Sequence, residues 1–434
     1  MTPAPGPGLS ETTTAICALL IFLVPFAAAG LALINAGLGR SRSAAHSMLS
    51  SLSILAVAVL IYFLCGFSWQ GFAAAPAHVL PVAGKQWNWI SAEPFFLRGL
   101  QPEGSAASLV ALLQMFSVGL AALIPLGAAT DRWRLGAACA STALLAGCTY
   151  PIFAHWVWGG GWLAQLGVNC GLGRGFLDAG GAGCIQAVGG LTAWSITCIL
   201  GPRRGKYGMD GAPAAIPGHN AVLVLLGCFL ALVGWLGLNC AGSMLFAGAA
   251  PGALAGVAID TMLAAAMAAL AAAAITRARF GRPDASLCAN GWVGGLVAGS
   301  AACAFVSPAA AAMTGLVAGA LVTFSVEWLD IRLGVDDPAG SISVHAISGI
   351  WGVLALGIFA RMPGDSGQFM AQLVGVATLL GFVLPLTYSL NWLLNRFYPQ
   401  RVAAEGERQG MDLYELGAGA YPEFVIHRED LTQG

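Results

Sequence analysis

Apolar runs of about twenty residues, bounded by Gly, Pro or charged residues, recur along the whole chain. A helix rises about 1.5 Å per residue, so such a run crosses roughly 30 Å of hydrocarbon. Eleven runs have that length, near 14–38, 44–68, 105–128, 135–157, 178–201, 219–241, 251–276, 285–305, 307–330, 341–361 and 370–395. The pattern predicts an all-α integral membrane protein with eleven transmembrane helices. After Phe397 it gives way to polar sequence, which divides the chain into a transmembrane domain at 1–396 and a C-terminal tail at 397–434. The tail is too short and too charged for a core of its own and reads as a regulatory or packing segment. Met1 to Thr14 holds no Lys or Arg, unlike the positive start of a cleavable signal, so the first run is expected to remain as a helix.

An odd number of spans puts the termini on opposite sides of the bilayer, and Lys/Arg positions decide which is which. With the N-terminus outside, the inner segments hold Arg40, Arg42, Arg132, Arg134, Arg203, Arg204, Lys206, Arg277, Arg279, Arg282, Arg332, Arg396, Arg401, Arg408 and Arg428. The outer side keeps Lys85, Arg98, Arg174 and Arg361. An extra or missing helix would scramble that split, so it supports the span count together with an N-out, C-in topology in a cell's inner (plasma) membrane.

Composition agrees: 58% of residues are hydrophobic and 9% charged, against about a quarter charged in soluble domains. A net charge of -1 without a long basic run excludes a nucleic-acid partner. The eleven cysteines form no CxxC pair and nearly all fall inside apolar runs, where they read as small packing residues. No metal site or cofactor is expected.

The fifth run contains Ile185-Gln186-Ala187-Val188-Gly189-Gly190-Leu191, and the tenth contains Val344-His345-Ala346-Ile347-Ser348-Gly349-Ile350. Apolar, polar, Ala, apolar, small, Gly and apolar positions recur in order. Five spans separate the copies, so they cross in opposite senses. That is the pattern of a five-plus-five inverted repeat with the pathway at its interface, and it sets Gln186 opposite His345.

Few strongly polar side chains lie within the runs: Asp178, Gln186, Asn239, Asp260 and His345. Ionisable groups at membrane depth cost about 2.5 kcal/mol or more and normally face a bundle interior or an aqueous path. Asp178 stands about 12 Å before Gln186 on the fifth helix, where it either stabilises a cation or caps the helix. Asp260 reads as an interhelical hydrogen-bonding partner. His345 is either such a partner or a pore group that exchanges hydrogen bonds and a proton with a solute. The aromatic stretch from Tyr150 to Trp162 suits interfacial anchoring, and a Trp beside its glycines can hold a small cation on its ring face. No paired carboxylates, nucleophile triad or metal cluster can be assembled, so an enzyme is not expected.

At these residues the chain resembles the ammonium transporter family (Amt, Mep and Rh proteins). The matching stretches are Pro25 to Arg42, Gln114 to Arg132, His155 to Gly161, Leu177 to Gly181, Gly234 to Asn239, Leu333 to Pro338, Val344-His345 with Gly349 to Gly352, and the tail's Gly410, Asp412 and Tyr421. The resemblance implies the ammonium-transporter fold, a homotrimer with one pore per subunit, and ammonium or ammonia as solute. It makes Trp158 the cation-facing aromatic, Asp178 the outer carboxylate, and His345 the second of two paired pore histidines.

The departures from that family are equally specific. Gln186 replaces the first pore histidine and cannot titrate near neutral pH, so a two-histidine proton relay is lost. Ser117 and Leu238 stand where two gate phenylalanines are usual, which predicts a wider or wetter constriction among the pore-lining residues. The outer serine falls at Gly242 or Ser243, with Ser243 the binding candidate. Arg174 lies close to the mouth. Leu416 and Ala418 depart from the tail pattern and weaken the case for a PII-type regulator as partner. The expected function is transmembrane ammonium or ammonia transport, with passive ammonia flux favoured over fast electrogenic uptake. The alternatives are a non-conducting ammonium sensor, or a pore for methylammonium, water or carbon dioxide.

Overall fold

The computed structural model describes residues 9–72, 78–100, 105–360, 362 and 366–421. Arg361 and Arg428, both used in the charge split, lie outside the described residues, as does the end of the tail. Ten helices are long and apolar enough to cross a bilayer: Glu11–Leu38, Ser41–Gln70, Ala106–Ala129, Leu135–Trp158, Ala182–Leu200, Ala221–Phe246, Pro251–Phe280, Pro308–Leu333, Ile342–Phe359 and Gln368–Phe397. The eighth predicted span is the eleventh helix, Ala285–Ser300, which is shorter at 16 residues. It ends early because its last carbonyls serve another strand of chain. The Ala179 N–H donates to Ala301 O at 3.1 Å and the Gly180 N–H to Ser300 O at 2.9 Å, so the approach to the fifth span is held on the end of the eighth.

Small residues set the helix spacing, since packing rather than hydrophobicity drives association in lipid. Gly30 and Gly227 bring the first and sixth spans into backbone contact, while Gly295 and Gly315 lay the eighth and ninth spans on Ala264 of the seventh. The third and fifth spans are the most enclosed.

On one face, the segments following the first, third, fifth and ninth spans share a single ionic network with the tail. Arg203 makes a bidentate pair with Asp336 at 2.9 Å and 2.9 Å and reaches Asp131 at 3.2 Å. The fully buried Arg132 donates to Gly201 O and Asp336 O, both at 2.8 Å. Burial alone would raise the Asp336 carboxyl, but Arg203 and Arg132 hold it below its ordinary value. In the tail, Glu407 binds Arg401 at 2.8 Å. Asp412 accepts the Ala45 and His46 N–H groups at 3.2 Å and 2.7 Å, and Glu415 accepts that of Leu135 at 2.9 Å. These two carboxylates cap the starts of the second and fourth spans, where orphan N–H groups and the helix dipole favour negative charge. The segments after the first, third, fifth and ninth spans therefore lie on the side of the tail, as eleven crossings require.

The opposite face carries a hairpin that the apolar pattern did not reveal, His78–Val82 paired antiparallel with Lys85–Ile90. Ala83 and Gly84 turn it with φ of 52° and 74°, both left-handed as a two-residue hairpin turn requires.

Candidate functional site

The Gln186 and His345 side chains meet at the centre of the bundle. His345 Nδ1 lies 2.7 Å from Gln186 Oε1, both residues are buried, and each sits in a six-residue π-helical turn, Ala182–Ala187 and Ile342–Ile347. Such turns widen a helix locally and recur at functional sites. An oxygen acceptor at Nδ1 means that the ring carries its proton there and keeps a lone pair at Nε2. The Gln186 Nε2 atom is buried and has no partner among the described residues.

The crossing is two-fold in its local contacts. A Cβ built on Gly190 would lie 2.7 Å from the Ala346 Cα, and one built on Gly349 would lie 3.1 Å from Ala187 N. Gly190 and Gly349 occupy equivalent repeat positions, and so do Ala187 and Ala346. The pseudo-dyad therefore passes through the Gln186–His345 hydrogen bond. The equivalence extends backwards to an Asp-x-x-Gly turn in each half, Asp178 to Gly181 and Asp337 to Gly340, whose glycines take φ of 91° and 69°.

Asp178 closes the start of the fifth span. Its Oδ1 accepts the Gly181 and Ala182 N–H groups at 2.8 Å and 2.9 Å, and its Oδ2 those of Gly183 and Cys184 at 2.8 Å and 2.9 Å. Of the two roles left open by the sequence, capping is the one this geometry displays. Asp337 does the same for the tenth span with two bonds, from Ser341 at 2.9 Å and Ile342 at 2.7 Å. It was passed over in the sequence because it sits in a charged loop motif, although its eight-residue spacing from His345 repeats that of Asp178 from Gln186.

The Trp158 Nε1 donates to Asp178 O at 2.7 Å, which locks the indole beside the cap. Its ring stacks on Phe246 at 4.5 Å and 11°, and Phe72 meets Phe246 edge-on at 6.3 Å. Phe246 was not singled out in the sequence, where a Phe closing an apolar run looks like lipid contact. Rings at this mouth thus come from Phe72 and Phe246, while Ser117 and Leu238 are both buried. The Ser117 hydroxyl donates back to Leu113 O at 2.8 Å, and Ser243 Oγ is shared with Cys303 Sγ at 3.4 Å. Gly242 lies flush against Ala179, leaving Ser243 as the hydroxyl of that stretch. These contacts link Trp158 at the end of the fourth span to Asp178 before the fifth, and Gln186 on the fifth to His345 on the tenth; Ser117 lies on the third span and Leu238 and Ser243 on the sixth. Asp260 departs from expectation: it is buried but makes no hydrogen bond or ion pair among the described residues, and its Oδ1 is fully enclosed. Its neighbour Thr261 takes the interhelical bond instead, from Asn239 Nδ2 at 3.0 Å.

Known proteins share this architecture. The profile described as the Ammonium Transporter Family matches residues 14–421. The chain is 36% identical to ammonium transporter Amt2 of Archaeoglobus fulgidus, across 94% of this chain and 88% of that protein. It is 30% identical to the Bacillus subtilis ammonium transporter, across 94% and 97%. Among solved structures it is similar to one described as a sensor Amt protein (28% identity, TM-score 0.84, 94% and 100% covered). It also shares the fold of Candida albicans Mep2 (22% identity, TM-score 0.78, 95% and 90% covered).

Proposed function

This chain belongs to the ammonium transporter family, and we propose that it passes its solute across the midplane as neutral ammonia. It is a multi-pass membrane transporter for ammonium, not an enzyme. The observation that carries the neutral reading is the 2.7 Å bond from His345 to Gln186 with the Gln186 amide nitrogen left unpartnered.

The pair offers a solute two amide N–H donors from Gln186 and the Nε2 lone pair of His345. Ammonia has one lone pair and three N–H groups, so it can accept from the first and donate to the second. Ammonium has only donors. It would leave the amide hydrogens facing a cation, and an unsatisfied buried donor alone costs about 1–3 kcal/mol. A charge at this depth adds about 2.5 kcal/mol or more. Turning the amide over reverses both polarities together, with Gln186 Nε2 donating to Nδ1 and the ring proton at Nε2. One donor and one acceptor still face the solute. Gln186 carries no titratable proton, so a proton cannot hop through the pair.

In this reading the mouth at Trp158 is the entrance. Asp178 sets the negative end of the fifth-span cap, Trp158 offers the ring face that Phe246 leaves uncovered, and Ser243 borders the same stretch. Ser117 and Leu238 line the passage down to Gln186 and His345. Arginine distribution supports placing the hairpin face outside and the tail in the cytoplasm of a plasma membrane. The family resemblance supports a homotrimer. In the tail, Asp412 and Glu415 are occupied by the helix starts they cap, and a PII-type partner would have to bind over that docked segment.

Stopped-flow recording of lumenal pH in proteoliposomes separates the species carried. Neutral uptake alkalinises the lumen when ammonium is applied outside. Transfer of ammonia together with a proton, or of ammonium itself, leaves it unchanged or acid, and that result would discard the neutral reading.

A further inference from the structure

The two repeat halves differ at their capping aspartates. A carboxylate offers about four lone-pair positions. Asp178 uses four on backbone N–H groups, whereas Asp337 uses two. Asp337 also lines a cavity of about 150 Å³ with Arg203, Lys206, Asp330 and Asp336. At about 30 Å³ per molecule of liquid water, that holds several molecules of water or ammonia. The cations there are engaged elsewhere: Arg203 pairs with Asp336 and Asp131, and Lys206 pairs with Asp330 at 2.7 Å. Arg132 lies behind Asp336 at 3.8 Å. Asp337 has no ion pair among the described residues. His345 follows it by eight residues and sits in the first turn of the helix, Ile342–Ile347, whose start Asp337 caps.

We propose that Asp337 is the proton donor and cation site of the arginine-rich mouth, protonating the ammonia that leaves His345 and holding the ammonium formed. The inference rests on the neutral reading above and names where the proton is regained. In the step, the carboxyl O–H bond breaks and a fourth N–H bond forms: Asp337–COOH and NH3 become Asp337–COO⁻ and NH4⁺. The ammonium then departs to solution, and water on that side returns a proton to the carboxylate. Asp178 has no free lone pair for such exchange. The surroundings suit the role, because burial pushes the Asp337 carboxyl up to about 6 against the pull of the Ile342 and Ser341 N–H groups. Asp336 adds to the rise and Arg132 opposes it. Above that pH the group is ready to hold a cation, and below it the proton is ready to give.

Infrared difference spectroscopy of the full-length protein reads the exchange directly. A protonated-carboxyl band should vanish as pH rises through about 6, and ammonium chloride should move that midpoint to lower pH where sodium chloride does not. Asp337→Asn should remove the band. In liposomes, Asp337→Asn should lower ammonia flux several-fold and abolish its dependence on pH at the arginine-rich face, with Asp337→Glu restoring both. A wild-type protein with no such band, a band that ammonium does not move, or an Asp337→Asn variant with wild-type flux at every pH overturns the proposal. If the lumen fails to alkalinise while the band still titrates and responds to ammonium, the neutral reading fails and the Asp337 site stands.

Discussion

Replacing Asp178 by Asn separates the cap from the cation site, because it removes the charge and leaves the shape. One amide oxygen can still accept two of the four N–H groups. The other two then face an amide nitrogen, donor against donor, at positions where the wild-type bonds are 2.8–2.9 Å long. Each unsatisfied buried donor costs about 1–3 kcal/mol, so the pair costs about 2–6 kcal/mol. Loss of the charge at the helix start adds about 0.3–2 kcal/mol. Against a typical folding stability of about 5–15 kcal/mol this is a severe lesion. Thermal melting of the detergent-purified variant should show a clear drop in midpoint, with ammonia flux falling in proportion to the folded protein recovered. A variant that melts like wild type yet has lost transport would refute the capping role and return Asp178 to direct action on the cation.

Gly190→Ala and Gly349→Ala should destabilise the protein to a similar degree, about 1–3 kcal/mol for overpacking, because they strike mirror positions of one crossing; melting curves with only one of the two affected would contradict the pseudo-dyad. Asp336 contributes stability that is present above its unfolded pKa of about 3.9 and lost as pH falls through its lower folded value. The wild-type midpoint should therefore drop steeply below about pH 4, whereas Asp336→Asn should start lower at neutral pH and show a shallower acid limb. Asp412→Ala removes the cap on Ala45 and His46. It should cost about 0.5–2 kcal/mol and speed proteolytic cleavage within the described tail, with the transmembrane helices left intact; unchanged cleavage would mean that other contacts hold the tail.

Most of the architecture was legible because lipid leaves a chain few choices. Each crossing must satisfy its own backbone, so it must be a helix of fixed minimum length, and the alternation of sides is written in the arginines. The repeat was readable at seven positions around Gln186 and His345 because close crossing demands Gly at 190 and 349. Its extension to the Asp-x-x-Gly turns was present at the same spacing but hidden by the charged neighbours of Asp337. What stayed illegible depended on contacts distant in sequence. The eighth span stops at Ser300 because residues 179–180 take its carbonyls, and the pattern there continues apolar to 305. The π-helical turns leave no mark in an apolar period. Phe246 and Trp158 are 88 positions apart, and only the packed structure shows that they stack. That Asp260 has no partner among the described residues could not be read from a residue type that usually finds one.

The most direct measurement is the current across a solid-supported membrane after an ammonium concentration jump, for wild type and for Gln186→His. With a glutamine in the pair, the wild type should give no sustained current although ammonia flux is present, and Gln186→His should acquire one because a titratable ring can pass the proton. A sustained current from the wild-type protein, with the glutamine in place, would contradict transport of neutral ammonia through the Gln186–His345 pair.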